Sequence, residues 1–307
     1  MDNNTLQKLL DRILNNFDEA ITLSETEIKS LIDAYTHKMI NKSVLERIKS
    51  GSILVVGDIH GDFNIMKTIV NIYLKKKKAE HLIFLGDIVD RGSNSIACTN
   101  LLLALLLQYP DKVHIVRGNH ESLSVNIRYG FLHEVKKFYG IENQFFDFPD
   151  TDKLPELFIL YNKAFASMPL ALIHEKLRYF FVHGGIPKDS ISLKEIANLP
   201  QGDVTLSNPI IMQLLWNDPN EEVEDYSYNL RGDMIYTYGS KLVEEFLKKN
   251  SLQMIIRAHQ IFPDGFQYLF GKKLLSLFTS EEFYQNIQAK IALLKEDGEI
   301  QIFSPKN

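Results

Sequence analysis

Cysteine is almost absent: Cys98 stands alone among 307 residues, so no internal disulfide can staple the chain. Its setting, Ile96-Ala-Cys-Thr-Asn-Leu-Leu-Leu103, marks a buried and inert thiol rather than a reactive one. That usage suits a reducing compartment, and a cytoplasmic protein is expected. Long hydrophobic runs are also missing. The most apolar segment, Leu101 to Leu107, is too short to cross a bilayer, and the amino terminus lacks a signal-peptide pattern, so no membrane partner is expected. Positive charge is in short supply: 34 Lys and Arg against 39 Asp and Glu leave a formal net charge of -5. Without a basic field, a nucleic-acid partner is not expected either. The one basic run, Lys75 to Lys78, reads as a solvated helix end. Neither internal repeats nor low-complexity linkers occur. A Cys-x5-Arg thiolate loop and a Walker lysine motif are both lacking, which removes two common routes of phosphoryl chemistry.

What is present begins with the core. At 45% hydrophobic and 11% aromatic residues, the chain can bury a sizeable interior. Five short apolar runs share one grammar, each ending in Gly or a polar loop that carries metal-type side chains. They are Ser52–Val56 before Gly-Asp58-Ile-His60-Gly-Asp62, His81–Leu85 before Gly-Asp87-Ile-Val-Asp90-Arg91-Gly92, and Val113–Val116 before Arg117-Gly-Asn119-His120-Glu121. Tyr179–Val182 before His183-Gly-Gly185 and Met254–Ile256 before Arg257-Ala-His259 complete the set. Runs rich in Ile, Val and Phe and bounded in this way predict buried strands, with their ligands delivered at the strand ends. Between them Phe63–Leu74 and Ser95–Gln108 have helical spacing, the βαβ rhythm of a covered sheet. Ahead of them, Leu6, Leu9, Leu10, Ile13, Leu14 and Phe17 predict one helix. Ser24-Glu-Thr-Glu27 predicts a capping box opening a second, so residues 1–50 form a helical cap on a single unit spanning 1–307. A further helix is predicted over Lys241–Asn250, and Asp297-Gly298 predicts a hairpin between Ala289–Leu294 and Glu299–Phe303.

Taken singly, a histidine or aspartate at a strand end is more often structural than functional, and His81, His114, His133 and His174 are read that way. Five such clusters in succession are not five accidents. Asp58, His60, Asp87, Asn119, His183 and His259 offer two carboxylates, three imidazoles and an amide. Such donors suit manganese, iron or zinc rather than a thiolate-bound structural zinc. One carboxylate can bridge two ions, and two cations about 3.5–4 Å apart acidify a shared water and clamp the oxygens of an in-line phosphoryl displacement.

These motifs resemble the phosphoprotein phosphatases, the eukaryotic-type serine/threonine protein phosphatases of the calcineurin-like superfamily. The likeness extends over Arg128-Tyr-Gly-Phe131, Leu214-Leu-Trp-Asn-Asp-Pro219, Leu230-Arg-Gly-Asp233 and Arg257-Ala-His-Gln260. It implies an α/β metallophosphatase fold of four layers, two mixed sheets packed as a sandwich and flanked by helices. It implies that Asp58, His60 and Asp87 hold one divalent ion, and that Asp87, Asn119, His183 and His259 hold a second. Manganese is the first expectation for both, with iron or zinc as alternatives. His120 matches the general acid and Asp90 the carboxylate that orients it. Arg91, Arg231 and Asn119 match the groups that grip phosphate. The implied activity is hydrolysis of phosphoserine and phosphothreonine in proteins by a water or hydroxide bridging the two ions. Regulatory subunits are not identifiable. A hydrolase of dinucleoside polyphosphates or other small phosphoesters is the first alternative, and a catalytically silent phosphatase-like binding module is the second.

One stretch departs from the family. Where Ser-Ala-Pro-Asn-Tyr-Cys is usual, this chain has Thr279-Ser-Glu-Glu-Phe-Tyr284. An ungapped match places Phe283 at the tyrosine and Tyr284 at the cysteine, which would cost the site a hydroxyl. Glu281 and Glu282 would add negative charge beside an anionic substrate, with consequences for specificity and toxin response. Arg117 is read as a loop support, Asp62 and Glu121 as carboxylates that tune neighbouring ligands, and Trp216 as core packing with its indole N–H satisfied. Asp218 is read as ordering the loop beneath Arg231.

Overall fold

All five apolar runs form strands, because β-branched and aromatic residues at alternating positions fill both faces of a pleated, fully covered sheet. The computed structural model describes residues 2–76, 78–141, 154–284 and 286–306. One sheet has the order β14 (Ile300–Phe303), β13 (Ile291–Leu294), β2 (Ile53–Val56), β3 (His81–Phe84), β4 (Val113–Ile115). Its strands β2, β3 and β4 run parallel while β13 is antiparallel to both β2 and β14. The second sheet has the order β1 (Leu45–Ile48), β5 (Ala171–His174), β6 (Tyr179–Val182), β10 (Met254–Arg257), β12 (Leu274–Leu277), β11 (Phe266–Leu269), and it too is mixed.

The pleat sorts the core. Along β2, Ile53 and Val55 face the second sheet in a cluster with Ile83, Phe181, Ile256 and Leu275, whereas Leu54 and Val56 face helices. Four layers follow. Outside the first sheet lie α1 (Asn3–Asn15), α2 (Glu25–Met39), α3 (Phe63–Lys76), α4 (Ser95–Gln108), a single-turn α5 (Leu123–Asn126), α6 (Phe131–Phe138) and α7 (Glu156–Ala166). Outside the second lie α8 (Leu193–Ala197), α9 (Pro209–Trp216) and α10 (Ser240–Lys249). Helix α4 is buried along nearly its whole length, which explains the unbroken apolar run around Leu101–Leu107. The capping box predicted at Ser24 and Glu27 opens α2. Asp297-Gly298 turns β13 into β14, with Gly298 at φ 92°.

A third, small sheet has no counterpart among the sequence expectations. It joins β7 (Asp218–Pro219), β8 (Tyr226–Tyr228) and β9 (Tyr236–Tyr238) in the order β7, β9, β8. Its strands hold two or three residues, too few for a periodic signal. The loop between β8 and β9 carries Arg231 to the sheet edge described next.

Candidate metal centre

The carboxyl ends of β2, β3, β4, β6 and β10 meet at one edge of the sandwich, and their loops surround a cavity of about 400 Å³. Asp58, His60, Asp87, Arg91, Asn119, His120, Arg231 and His259 line it, with His183 buried behind them. Close approach of the loops is built into their glycines: a Cβ on Gly86 would lie 2.5 Å from the Gly118 nitrogen, and one on Gly118 would collide with the Asp87 carboxylate. Five non-glycine residues here, His60, Asp87, Asp90, Arg91 and His259, have φ between 47° and 71°. Such left-handed backbone costs energy and is held by surrounding structure at sites where side-chain direction matters.

Hydrogen bonding settles the imidazole orientations. His60 Nδ1 is 3.0 Å from the Val89 carbonyl, an acceptor only, so it donates and leaves Nε2 a bare lone pair. That Nε2 faces Asp58 Oδ2 at 3.9 Å and Asp87 Oδ2 at 3.7 Å. On the other side of Asp87, His183 Nδ1 donates to Leu85 O at 2.7 Å. Its Nε2 faces Asn119 Oδ1 at 2.8 Å, His259 Nδ1 at 3.2 Å and Asp87 Oδ1 at 3.3 Å. Two oxygen acceptors and a ring nitrogen converge on this nitrogen, a polar cluster suited to a proton or a metal ion. The two oxygens of Asp87 therefore face two separate groups of donors. Burial lowers the His60 pKa to about 3, assisted by His120, which keeps its lone pair free. Burial and the Asp87 carboxylate push Asp58 up to about 6. Burial opposes a charge on His183, but Asp87 outweighs it and raises the pKa. The same negative field that attracts a proton attracts a cation. Nitrogen and oxygen donors of this kind, with the far ring nitrogens of His60 and His183 tied to carbonyls, fit divalent ions.

His120 lies across from these groups. Its Nδ1 is 2.9 Å from Asp90 Oδ2, and its Nε2 is 4.0 Å from Asp87 Oδ2. Burial is overcome by Asp87 and Asp90, which raise its pKa. Asp90 is itself held by the Phe131 amide at 2.8 Å and by Asn126 at 2.9 Å. Arg91 has a buried Nε without a partner among the described residues and lies 5.2 Å from the Tyr129 ring centre. Arg231 Nε is 2.6 Å from Asp218 Oδ2, and Arg257, fully buried, donates to Asp218 Oδ1 at 3.1 Å, so Asp218 orders this loop. Glu121 accepts from the amides of Asp87, Ile88 and Gly118, bracing the Asp87 loop from behind. Asp62 accepts from the Ile65 amide and from those of Glu281 and Glu282. Arg117 donates to Glu121 O and Asp203 O, supporting its loop.

Two expectations are corrected. Trp216 packs against the second-sheet core as expected, but its indole N–H is not satisfied: the half-buried ring lines the cavity edge-on to His259 at 5.6 Å, and the N–H has no partner among the described residues. In the altered loop Phe283 is 53% exposed, whereas Tyr284 lines the cavity 5.8 Å from the Arg91 guanidinium. The cavity thus keeps a phenol, one residue later than the ungapped match implies. Glu281 is drawn off by Lys306 and the Ala289 amide, and Glu282 accepts from Ser93. Neither carboxylate lines the cavity, because the loop turns on these contacts. Asn126, Tyr129 and Phe278 are site residues that the sequence reading missed. The Arg128-Tyr-Gly-Phe131 motif contains Tyr129, but no motif marks Asn126 or Phe278.

Residues 51–263 match the family described as calcineurin-like phosphoesterase. The chain is 32% identical over 280 residues to a protein phosphatase 2A catalytic subunit from Dictyostelium discoideum, covering 91% of this chain and 84% of that protein. In fold it is similar to a protein serine/threonine phosphatase from Saccharomyces cerevisiae, with a TM-score of 0.81 at 24% identity over 97% of this chain and 96% of that one. A cold-active protein-tyrosine phosphatase from a psychrophilic Shewanella matches more loosely, with a TM-score of 0.58 at 15% identity over 85% and 82% of the two chains.

Proposed function

The chain belongs to the calcineurin-like phosphoesterase family, and we propose that it is a metal-dependent phosphatase acting on phosphoserine and phosphothreonine in proteins. The observation that carries this reading is Asp87, whose two oxygens face separate imidazole groups while His120, steadied by Asp90, stands over the same cavity. Its sequence similarity to a protein phosphatase 2A catalytic subunit supports a protein substrate.

Asp58, His60 and Asp87 would hold one divalent ion, and Asp87, Asn119, His183 and His259 the other, with manganese preferred and iron or zinc acceptable to the same donors. When bound, two such ions supply Lewis acidity and charge neutralisation for in-line displacement by water. Arg91 and Arg231 approach the cavity from opposite loops and grip the phosphoryl oxygens through paired N–H donors. Asp218 fixes the guanidinium of Arg231 in advance, which reduces what binding must order. His120 gives its Nε2 proton to the departing serine or threonine oxygen, and Asp90 keeps the ring oriented from Nδ1. Tyr284 and Trp216 both wall the cavity.

Manganese-loaded protein should turn over phosphoserine and phosphothreonine peptides with kcat/KM at least about tenfold above a phosphotyrosine peptide or diadenosine tetraphosphate. Preference for either of the latter would overturn the substrate assignment. No turnover even of para-nitrophenyl phosphate, despite full metal loading, would sink the enzymatic reading.

A further inference from the structure

His81 and His114, both read from the sequence as structural, meet at the amino-terminal ends of β3 and β4, remote from the catalytic edge. His81 Nδ1 and His114 Nε2 face one another at 3.2 Å. Each far nitrogen is tied down: His114 Nδ1 lies 3.0 Å from Glu46 Oε2 on β1, and His81 Nε2 lies 3.1 Å from Ser50 O. A carboxylate and a carbonyl only accept, so both far nitrogens carry protons. In two neutral rings the near nitrogens then present opposed lone pairs at contact distance. A positive charge between them, proton or metal ion, would relieve this, and burial with the neighbouring His114 lowers the affinity of His81 for the proton. We propose that this dyad is a further cation site, taking a nitrogen-preferring divalent ion such as zinc.

Bonds of 2.0–2.1 Å to two nitrogens at the observed separation subtend about 100°, near the tetrahedral angle. The pair opens on a cavity of about 560 Å³, from which water can complete the coordination; Glu46 and Asp111 line it together with Lys38, Lys42, Arg47 and Lys49. The arrangement repeats that at His183, where Nδ1 donates to a carbonyl and Nε2 meets His259 Nδ1 at the same 3.2 Å. Glu46 belongs to the other sheet, so its hydrogen bond to a metal-bound imidazole would link both halves of the sandwich at this edge.

Chelator-stripped protein dialysed against zinc, with metal counted by plasma mass spectrometry, tests the site. Wild type should hold one more ion per chain than His81→Asn or His114→Gln, and manganese-supported turnover of para-nitrophenyl phosphate should be unchanged in both variants. Glu46→Gln, a milder change, should keep the fold and weaken the extra ion about 10–100-fold. Equal zinc content in wild type and all three variants overturns the proposal. So does a wild type whose His81 and His114 ring-nitrogen NMR signals do not move when zinc is added.

Discussion

His120 carries the sharpest residue-level test, because it stands near enough to Asp87 to be either acid or ligand. His120→Asn should lower kcat about 10²–10⁴-fold while metal content stays at the wild-type value. Parallel loss of bound metal would make it a ligand instead. Individual residues are legible in the sequence wherever a short motif fixes their spacing: Asp58 and His60, Asp87 with Asp90 and Arg91, and Asn119 with His120 all lie in single loops. That Trp216 and Tyr284 face the cavity is not legible in the sequence, because neither placement is set by a neighbour along the chain. Trp216 meets His259 and Tyr284 meets Arg91 only across the folded cavity.

Among the elements, α4 and α6 share a buried device. Glu134 on α6 accepts from the Ser95 and Ile96 amides at the start of α4, both at 2.8 Å. It stands in for the cap that Asn94 does not supply. Burial pushes its pKa from 4.5 up to about 7 despite those two bonds. Between these values the folded state holds a proton that the unfolded state has released, so stability falls as pH rises through the window. Urea unfolding should show a loss of about 2 kcal/mol between pH 4.5 and 7.5 from this group, a decline that Glu134→Gln removes. An identical pH slope in the variant would contradict the assignment. Strands and long helices are readable because periodicity acts over many residues. The β7, β8 and β9 sheet is not, since its two- and three-residue strands are made by pairing partners rather than by their own pattern.

At the scale of the molecule, the candidate centre draws Asp58, Asp87 and Asn119 from one sheet and His183 and His259 from the other. Ions held there bind the native state alone, so they should stabilise the whole sandwich by mass action. Chelation is expected to lower the melting temperature by roughly 5–10 °C, with recovery on adding manganese. An unchanged melting temperature would show that the donors hold no ion. Local pattern was enough for the strand runs, the first two helices and the family likeness, because each depends on neighbours along the chain; the helical cap expected over residues 1–50 ends instead in β1, whose place beside β5 is set by sheet pairing. Which oxygens of Asp87 face which imidazole, where the overhanging loop places its phenol, and that His81 meets His114 depended on segments far apart in sequence being packed together. Contacts of that kind are set by sheet order and core packing, which no stretch of sequence carries on its own.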